Sequence, residues 1–200
     1  MDAISGKVIH GTTNIFEHSF NDISKYFKEL RDKGLNPYSI TIDGHPCVIK
    51  AVRLIWPDII IQRCVIHIQR QGLMWCRVKP KRIDARKLRE IFVKSSDINT
   101  LEEMNEFVSQ INDWELKHGE KIKSQPEKGW VFSDIKRARS MIIRALPNMF
   151  HYMRNNKIPR STNMVEGCFS RAKKSYKNHQ GLAPKKRANF FLWHMYFNSK

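Results

Sequence analysis

The sequence predicts an α/β protein in which a long run of helices interrupts a sheet that contains parallel strands. A β-rich run at Tyr38–Ile42 ends at Asp43-Gly44, and a helix with Pro46 in its first turn separates it from a second apolar run at Ile59–Gln62. A strand, a helix and a strand within about 25 residues require a right-handed parallel crossover, which excludes a simple helical bundle. About eighty residues of helical pattern then follow.

The segment before this unit is expected to form one strand and one helix. Polarity alternates in Lys7–Thr12, which predicts the strand. Apolar residues recur at helical spacing from Phe20 to Leu30, and Gly34 provides a stop signal a few residues later. These features predict an amphipathic helix between Phe20 and Leu30.

The helical pattern runs from about Leu73 to Arg154 and carries its own boundary signals. Thr100 followed by Glu103 forms a capping box, and Ser133 is expected to cap another helix. The polar stretch Lys117–Lys128 is expected to connect two helices. Two further helices are predicted beyond this region, and they span Asn163–Tyr176 and the unusually aromatic Pro184–Phe197.

Charge is the strongest compositional signal. Two hundred residues with 41% hydrophobic content suffice for one globular domain, and 36 basic against 19 acidic residues leave a net charge of +17. Residues 151–200 carry eleven basic residues and one acidic residue, which favours nucleic acid as the binding partner. The plain alternative is a general basicity of the kind found in ribosomal proteins and cytokines. We expect sequence-tolerant DNA binding to be dominated by ten basic residues, namely Arg154, Lys157, Arg160, Arg171, Lys173, Lys174, Lys177, Lys185, Lys186 and Arg187.

The cysteines and the apolar runs indicate an intracellular protein without a membrane span. The cysteines follow no close-spaced disulfide framework, which makes a reducing interior the expectation; they stand at Cys47, Cys64, Cys76 and Cys168. The sequence has no run of 18 apolar residues and no secretory leader at its start. A cytoplasmic, nucleoid-associated location is therefore expected.

Two acids are candidates for metal-dependent chemistry. Asp43 stands at the end of a predicted strand, and Glu166 is the one acid in the last fifty residues. Phosphodiester chemistry uses pairs of divalent ions, and Mg²⁺ or Mn²⁺ prefers carboxylate oxygens. The plain alternatives are an Asp-Gly turn residue for Asp43 and a solvated helix residue for Glu166.

Cys64 and His67 form a C-x-x-H pair directly after the second predicted strand. Structural zinc takes four ligands, and no second close-spaced pair follows in the sequence. The pattern therefore favours a buried thiol beside a hydrogen-bonded histidine over a zinc site.

Two sequence blocks resemble those of a known family. The first runs from Ser39 to Lys50 (SITIDGHPCVIK) and continues through Gln62–Arg70 (QRCVIHIQR), and the second is Ser161–Gly167 (STNMVEG). Their order, their spacing and the helical sequence between them resemble Mutator-like and related bacterial insertion-sequence transposases.

This resemblance implies a fold, a reaction and roles for particular residues. The implied fold is a ribonuclease-H-like mixed sheet with a large helical insertion. Asp43 and Glu166 would be the second and third acids of a DDE triad that binds Mg²⁺ or Mn²⁺, and Cys64 with His67 would be the C-x-x-H pair that orders the core. The implied reaction is metal-dependent strand cleavage followed by strand transfer, with DNA element ends and target DNA as partners and a homo-oligomer as the full-length form.

The chain departs from the family pattern at its front, where the first acid and its strand are expected to be missing. Asp2 lies too late to be that acid, so the core is expected to be N-terminally incomplete and inactive alone. The implied divisions are a core over residues 1–72, a helical insertion over 73–154 and C-terminal core helices over 155–200. Two other interpretations stay open, namely a catalytically inactive transposase-derived DNA-binding protein and a zinc-stabilised nucleic-acid module built around Cys64 and His67.

Overall fold

The protein is mostly helical, with a small parallel sheet near its N-terminal end. The computed structural model describes residues 1–124, 130–179 and 181–197, and for residues 130–132 it describes the backbone alone. The elements in chain order are α1 (Phe20–Asp32), β1 (Ser39–Ile42), α2 (Pro46–Ile55), β2 (Ile60–Arg63), α3 (Val65–Cys76), α4 (Ile83–Lys94), α5 (Leu101–Trp114), a π-helix (Glu115–Gly119), α6 (Glu120–Ser124), α7 (Trp130–Ala145), a 3-10 turn (Leu146–Asn148), α8 (His151–Arg154), α9 (Asn163–Lys177) and α10 (Pro184–Phe197).

The predicted strand–helix–strand unit is confirmed. β1 and β2 pair in parallel, with Ser39 opposite Ile60 and Ile42 opposite Arg63, and α2 connects them. A small apolar core lies beneath this unit and includes Val52, which is fully buried; its other buried members are Ile42, Ile55, Trp56, Ile59 and Ile61. Helix α1 packs against α2 and adds Phe27 to this core.

The prediction of a strand at Lys7–Thr12 is wrong. The backbone of residues 7–12 forms no strand and follows a turn at residues 3–5, where the Asp2 amide donates to the carbonyl of Lys7 at 2.8 Å. Val8 is buried whereas Ile9 is 53% exposed, so the segment keeps an alternating pattern of burial. It does not form a strand, because no neighbouring strand of the described residues pairs with it. In the part of the chain that the structure describes, the sheet has two strands, both parallel, and the larger mixed sheet of a ribonuclease-H-like core stays a prediction.

A second and larger core lies among α3, α4, α5 and α7. It is centred on fully buried residues such as Phe92 of α4 and Ile68 of α3. Gly72 of α3 faces the Phe92 ring so closely that a Cβ atom at position 72 would overlap it. Glycine at this position therefore lets α3 and α4 approach each other.

Two of the expected boundaries in the helical region are wrong and one is confirmed. The capping box is present, because Thr100 accepts from the Glu103 amide and the Glu103 carboxylate accepts from the Thr100 amide. Helix α7 begins at Trp130, so Ser133 lies within its first turn instead of capping it. The expected connection Lys117–Lys128 is helical as far as Ser124, because Ile122 is buried in the larger core, and the rest of it lies outside the described residues.

Polar contacts join the C-terminal half of the chain to the strand ends. The side-chain amide of buried Gln62 donates to the carbonyl of Met149 at 2.7 Å, and Thr41 Oγ1 donates to the carbonyl of Pro159 at 2.7 Å. The Val65 amide donates to the carbonyl of Arg160 at 3.0 Å. These contacts place the start of α9 beside the strand ends. The expected boundary after residue 72 falls inside α3, and the division into three segments stays a prediction.

No helix in the described ranges is long and apolar enough to cross a membrane.

Candidate active site

Asp43 follows β1 directly and is exposed at the carboxyl end of the sheet. Its Oδ1 accepts a hydrogen bond from the His45 amide at 3.0 Å, which closes a short turn before α2. Gly44 lies within this turn at φ +99°, a backbone conformation that residues with a Cβ atom rarely adopt. The turn thereby presents the carboxylate of Asp43 outward while its backbone stays tied to the start of α2.

Arg63 stabilises this turn through a hydrogen bond to its backbone, a role that the sequence did not reveal. It ends β2, is only 7% exposed, and donates from Nη2 to the carbonyl of Asp43 at 3.1 Å. Its guanidinium occupies the space that a Cβ atom at Gly44 would need. Burial lowers the pKa of Arg63 from its ordinary value, and the nearby Asp43 carboxylate opposes that shift. A cation two residues after three consecutive isoleucines, Ile59–Ile61, was the signal that would have found it.

Glu166 lies in the first turn of α9 and is held by three side chains. Thr162 Oγ1 donates to Oε1 at 3.0 Å, Arg70 Nη1 donates to Oε2 at 3.1 Å, and His67 Nδ1 lies 3.5 Å from Oε1. Partial burial acts to raise the pKa of Glu166, but the hydrogen bonds from Thr162 and Arg70 outweigh it and the pKa lies below its usual value. Glu166 is therefore ionised at neutral pH.

Arg70 is the second functional residue that sequence reasoning missed. It lies three residues after His67, so both project from the same side of α3. Both contact Glu166, and the Arg70 side chain remains 62% exposed. Helical spacing from His67 could have identified it, but only once the partner on α9 was known.

Cys64 and His67 link α3 to the start of α9. Cys64 is fully buried, and its sulfur accepts from the Thr162 amide at 3.4 Å and lies 3.4 Å from Thr162 Oγ1. His67 Nδ1 lies 3.4 Å from the Cys64 sulfur and 3.4 Å from Thr162 Oγ1. The pair therefore makes hydrogen-bonding contacts that orient Thr162 and, through it, Glu166. Across the described ranges, no group of three His, Cys, Asp or Glu residues is arranged to hold a metal ion.

Asp43 and Glu166 are each connected to an element that leaves the sheet at its carboxyl edge. Asp43 follows β1, and Glu166 is bound to His67 and Arg70 of α3, the helix that follows β2. The carboxyl ends of the two parallel strands meet at one edge, so α3 and the Asp43 turn both start there. Within the described residues, no hydrogen bond or ion pair joins the two acids directly.

The ten basic residues predicted to bind DNA are all exposed. Among the residues that the structure describes, none of the ten forms an ion pair with a carboxylate, and Arg160 donates to the Asn99 side chain at 3.0 Å. Basic residues of the helical region behave differently, since Arg77 pairs with Asp134 and Arg139 with Glu115. The C-terminal block thus presents positive charge that no carboxylate of the described residues pairs with.

Carboxylates connected to the carboxyl edge of a parallel sheet, in a chain with an exposed basic block, are features of proteins that act on nucleic acid. Comparison with protein families identifies the family: the chain matches "Transposase, Mutator family" over residues 17–188. The chain belongs to this family of transposases, and the resemblance noted in the two sequence blocks is confirmed. Comparison with curated proteins and with solved structures finds no match.

Proposed function

We propose that Asp43 and Glu166 are two of the metal-binding carboxylates of a DDE-type transposase with a ribonuclease-H-like core. The observation that carries the proposal is their shared connection to the carboxyl edge of the sheet, because Asp43 follows β1 and Glu166 is bound to the helix that follows β2. The reaction is cleavage of a DNA strand at the element end by water, followed by attack of the freed 3′ hydroxyl on target DNA. Assembly of the full-length protein into a homo-oligomer belongs to the same proposal.

The donor set at this edge fits Mg²⁺ or Mn²⁺. Both ions prefer carboxylate oxygens, and Mg²⁺ typically uses one or two protein carboxylates together with waters and substrate phosphate. Asp43 is exposed with one oxygen bonded to the His45 amide, and the Glu166 side chain is 38% exposed. A bound ion would polarise the oxygens that attack and leave the phosphorus atom.

The neighbouring side chains position these acids. Arg63 fixes the carbonyl of Asp43 and fills the space beneath the turn. Thr162 and Arg70 hold one oxygen each of Glu166, which selects one orientation of its carboxylate. Arg70 keeps further donors, so it can also bind a substrate phosphate at the mouth of the site.

The exposed basic block binds the DNA backbone. Each phosphate contact releases condensed counterions, so affinity falls with salt at a log–log slope of about 0.9 per contact for duplex DNA. The ten residues are exposed and free of carboxylate partners within the described ranges, which leaves them available for phosphates.

Asp43 and Glu166 provide two of the three acids of the triad, and in-line displacement with two metal ions uses all three. The 200-residue chain is therefore expected to bind a donor-end duplex without nicking it in Mg²⁺ or Mn²⁺. Nicking that Asp2→Asn abolishes would contradict this, because Asp2 would then be the first acid.

A catalytically inactive, transposase-derived DNA-binding protein is the second candidate. One observation favours it: both oxygens of Glu166 already accept hydrogen bonds, from Thr162 and from Arg70. On this interpretation the basic block binds DNA while Asp43 and Glu166 bind no ion.

Manganese binding separates the two candidates. Electron paramagnetic resonance of free Mn²⁺, titrated with the chain and a donor-end duplex, is expected to show one or more bound ions. Asp43→Asn and Glu166→Gln should each weaken this binding about tenfold or more, whereas Asp58→Asn, which removes an exposed acid from the α2–β2 connection, should leave it unchanged. Equal binding by all four proteins would support the inactive candidate.

A further inference from the structure

Helix α10 carries aromatic side chains on both sides, and within the described ranges the chain covers one of them. The rings of Phe190 and Phe191 pack against Tyr176 of α9, with centroid separations of 5.6 Å and 5.3 Å. Met195 packs against Gly11, where a Cβ atom would overlap its sulfur. These contacts anchor the inner side of the helix to the rest of the chain.

The outer side of α10 presents aromatic rings to solvent. Trp193 is 59% exposed and Phe197 is 64% exposed, and their rings stack one helical turn apart at 5.8 Å and 26°. Tyr196 packs edge-on against both rings. Large exposed apolar surfaces are costly and commonly mark interaction sites.

The same side of α10 begins with exposed basic residues. Lys186, Trp193 and Phe197 lie at positions i, i+7 and i+11, which share one face of a helix. With a rise of about 1.5 Å per residue, Lys186 lies roughly 10 Å from Trp193 along the helix axis. The face therefore combines a cationic end with an aromatic end.

Charge selects the partner for this face. A second copy of the chain would bring the same basic block close to itself, because residues 151–200 carry eleven basic residues and one acidic residue. Nucleic acid complements that charge, and aromatic rings add affinity where bases are unpaired and can stack on them. In a duplex the base faces are already stacked, so exposed rings gain little there.

We propose that the outer face of α10 binds single-stranded DNA, with Lys186 contacting the backbone and with Trp193 and Phe197 stacking on unpaired bases. The inference rests on the proposed DNA binding by the basic block. It assigns to α10 the binding of the DNA strand that is unpaired near a cut or frayed element end. A basic helix with exposed aromatic rings also suits an anionic membrane surface, but α10 distributes its rings around the helix instead of forming one broad apolar face.

The test compares two probes over a range of salt concentrations. Fluorescence anisotropy gives the affinity of the full chain for a short oligothymidine strand and for a duplex of equal length. Trp193→Ala and Phe197→Ala should each weaken oligothymidine binding about tenfold, which is about 1.4 kcal/mol, because each removes a ring that stacks on a base. Duplex affinity should stay within about twofold, and the salt slope for both probes should be unchanged, because no phosphate contact is lost.

Matched variants separate stacking from general damage. Trp193→Phe should recover most of the oligothymidine affinity, because an aromatic face is restored. Phe16→Ala removes a ring that is 76% exposed and lies outside α10, and it should leave both affinities unchanged. Lys186→Ala should reduce the salt slope for oligothymidine, since it removes a phosphate contact.

Three results would overturn the inference. Unchanged oligothymidine binding by Trp193→Ala and Phe197→Ala would show that the rings do not stack on bases. Conversion of a wild-type dimer to a monomer by these variants in sedimentation velocity would assign the face to a second copy. Binding to phosphatidylserine vesicles that depends on Trp193 would assign it to membranes. Failure of the proposed function has a different signature, namely the absence of salt-dependent duplex binding by the wild-type chain.

Discussion

Replacing Gly44 with alanine is expected to disrupt the turn that carries Asp43. A Cβ atom at position 44 would overlap the guanidinium of Arg63, which is 7% exposed and would have to leave its hydrogen bond to the carbonyl of Asp43. The φ of +99° adds a conformational penalty, typically about 1–2 kcal/mol for a residue with a Cβ. Loss of the charged hydrogen bond adds about 1.5–3 kcal/mol.

Together these penalties predict a loss of about 2.5–5 kcal/mol in the free energy of unfolding. Thermal denaturation followed by circular dichroism should show Tm lowered by about 10 °C, since 1 kcal/mol corresponds to about 2–4 °C at this chain length. Gly34→Ala is the matched control, because Gly34 has φ +93° and no atom within 4 Å of an added Cβ. Gly34→Ala should therefore show the conformational penalty alone, about 1–2 kcal/mol.

A double-mutant cycle isolates the contact between positions 44 and 63. In an Arg63→Ala background the overlap is absent, so Gly44→Ala should cost no more than Gly34→Ala. Equal Tm losses for Gly44→Ala and Gly34→Ala in the wild-type background would refute the reasoning, because Arg63 would then not support the turn.

Three further predictions concern the basic block and the C-x-x-H pair. Replacing Lys173, Lys174 and Lys177 with alanine should reduce the log–log salt slope of duplex binding by up to about 2.7, whereas loss of binding with an unchanged slope would indicate misfolding. His67→Ala should lower the free energy of unfolding by roughly 1–3 kcal/mol in urea denaturation, because partners on Cys64 and Thr162 are left unpaired; an unchanged midpoint with altered metal binding would assign the pair to a metal site. Elemental analysis of the purified chain should find less than one zinc per chain, and one tightly bound zinc would support the zinc-stabilised module.

Local signals in the sequence were sufficient for several elements of the fold. The capping box at Thr100 and Glu103 gave the start of α5, and the aromatic helix predicted over Pro184–Phe197 has the bounds of α10. The strand–helix–strand unit also followed from local pattern, because Asp43-Gly44 and Pro46 mark its boundaries. Each of these features depends on residues that are close in the chain.

Long-range contacts explain what the sequence did not reveal. Arg63 and Arg70 contact the backbone of Asp43 and the side chain of Glu166, partners 20 and 96 positions away, and no periodicity encodes such pairs. The Lys7–Thr12 pattern predicted a strand because alternation was read without knowing whether a neighbouring strand was there to pair with it. The Lys117–Lys128 stretch resembled a loop because it is polar, although burial of Ile122 against the larger core makes its first part helical.

The most direct test of the central claim is iron-mediated cleavage of the protein backbone. Fe²⁺ replaces Mg²⁺ at carboxylate sites, and with ascorbate and peroxide it cuts the chain next to the bound ion. Mapped by mass spectrometry, the cuts should fall near both Asp43 and Glu166, and excess Mg²⁺ should suppress them. Asp43→Asn and Glu166→Gln should each remove both sets of cuts, because the two acids share one site. Cuts near one acid that persist when the other is neutralised, or cuts at neither position, would contradict a shared metal site.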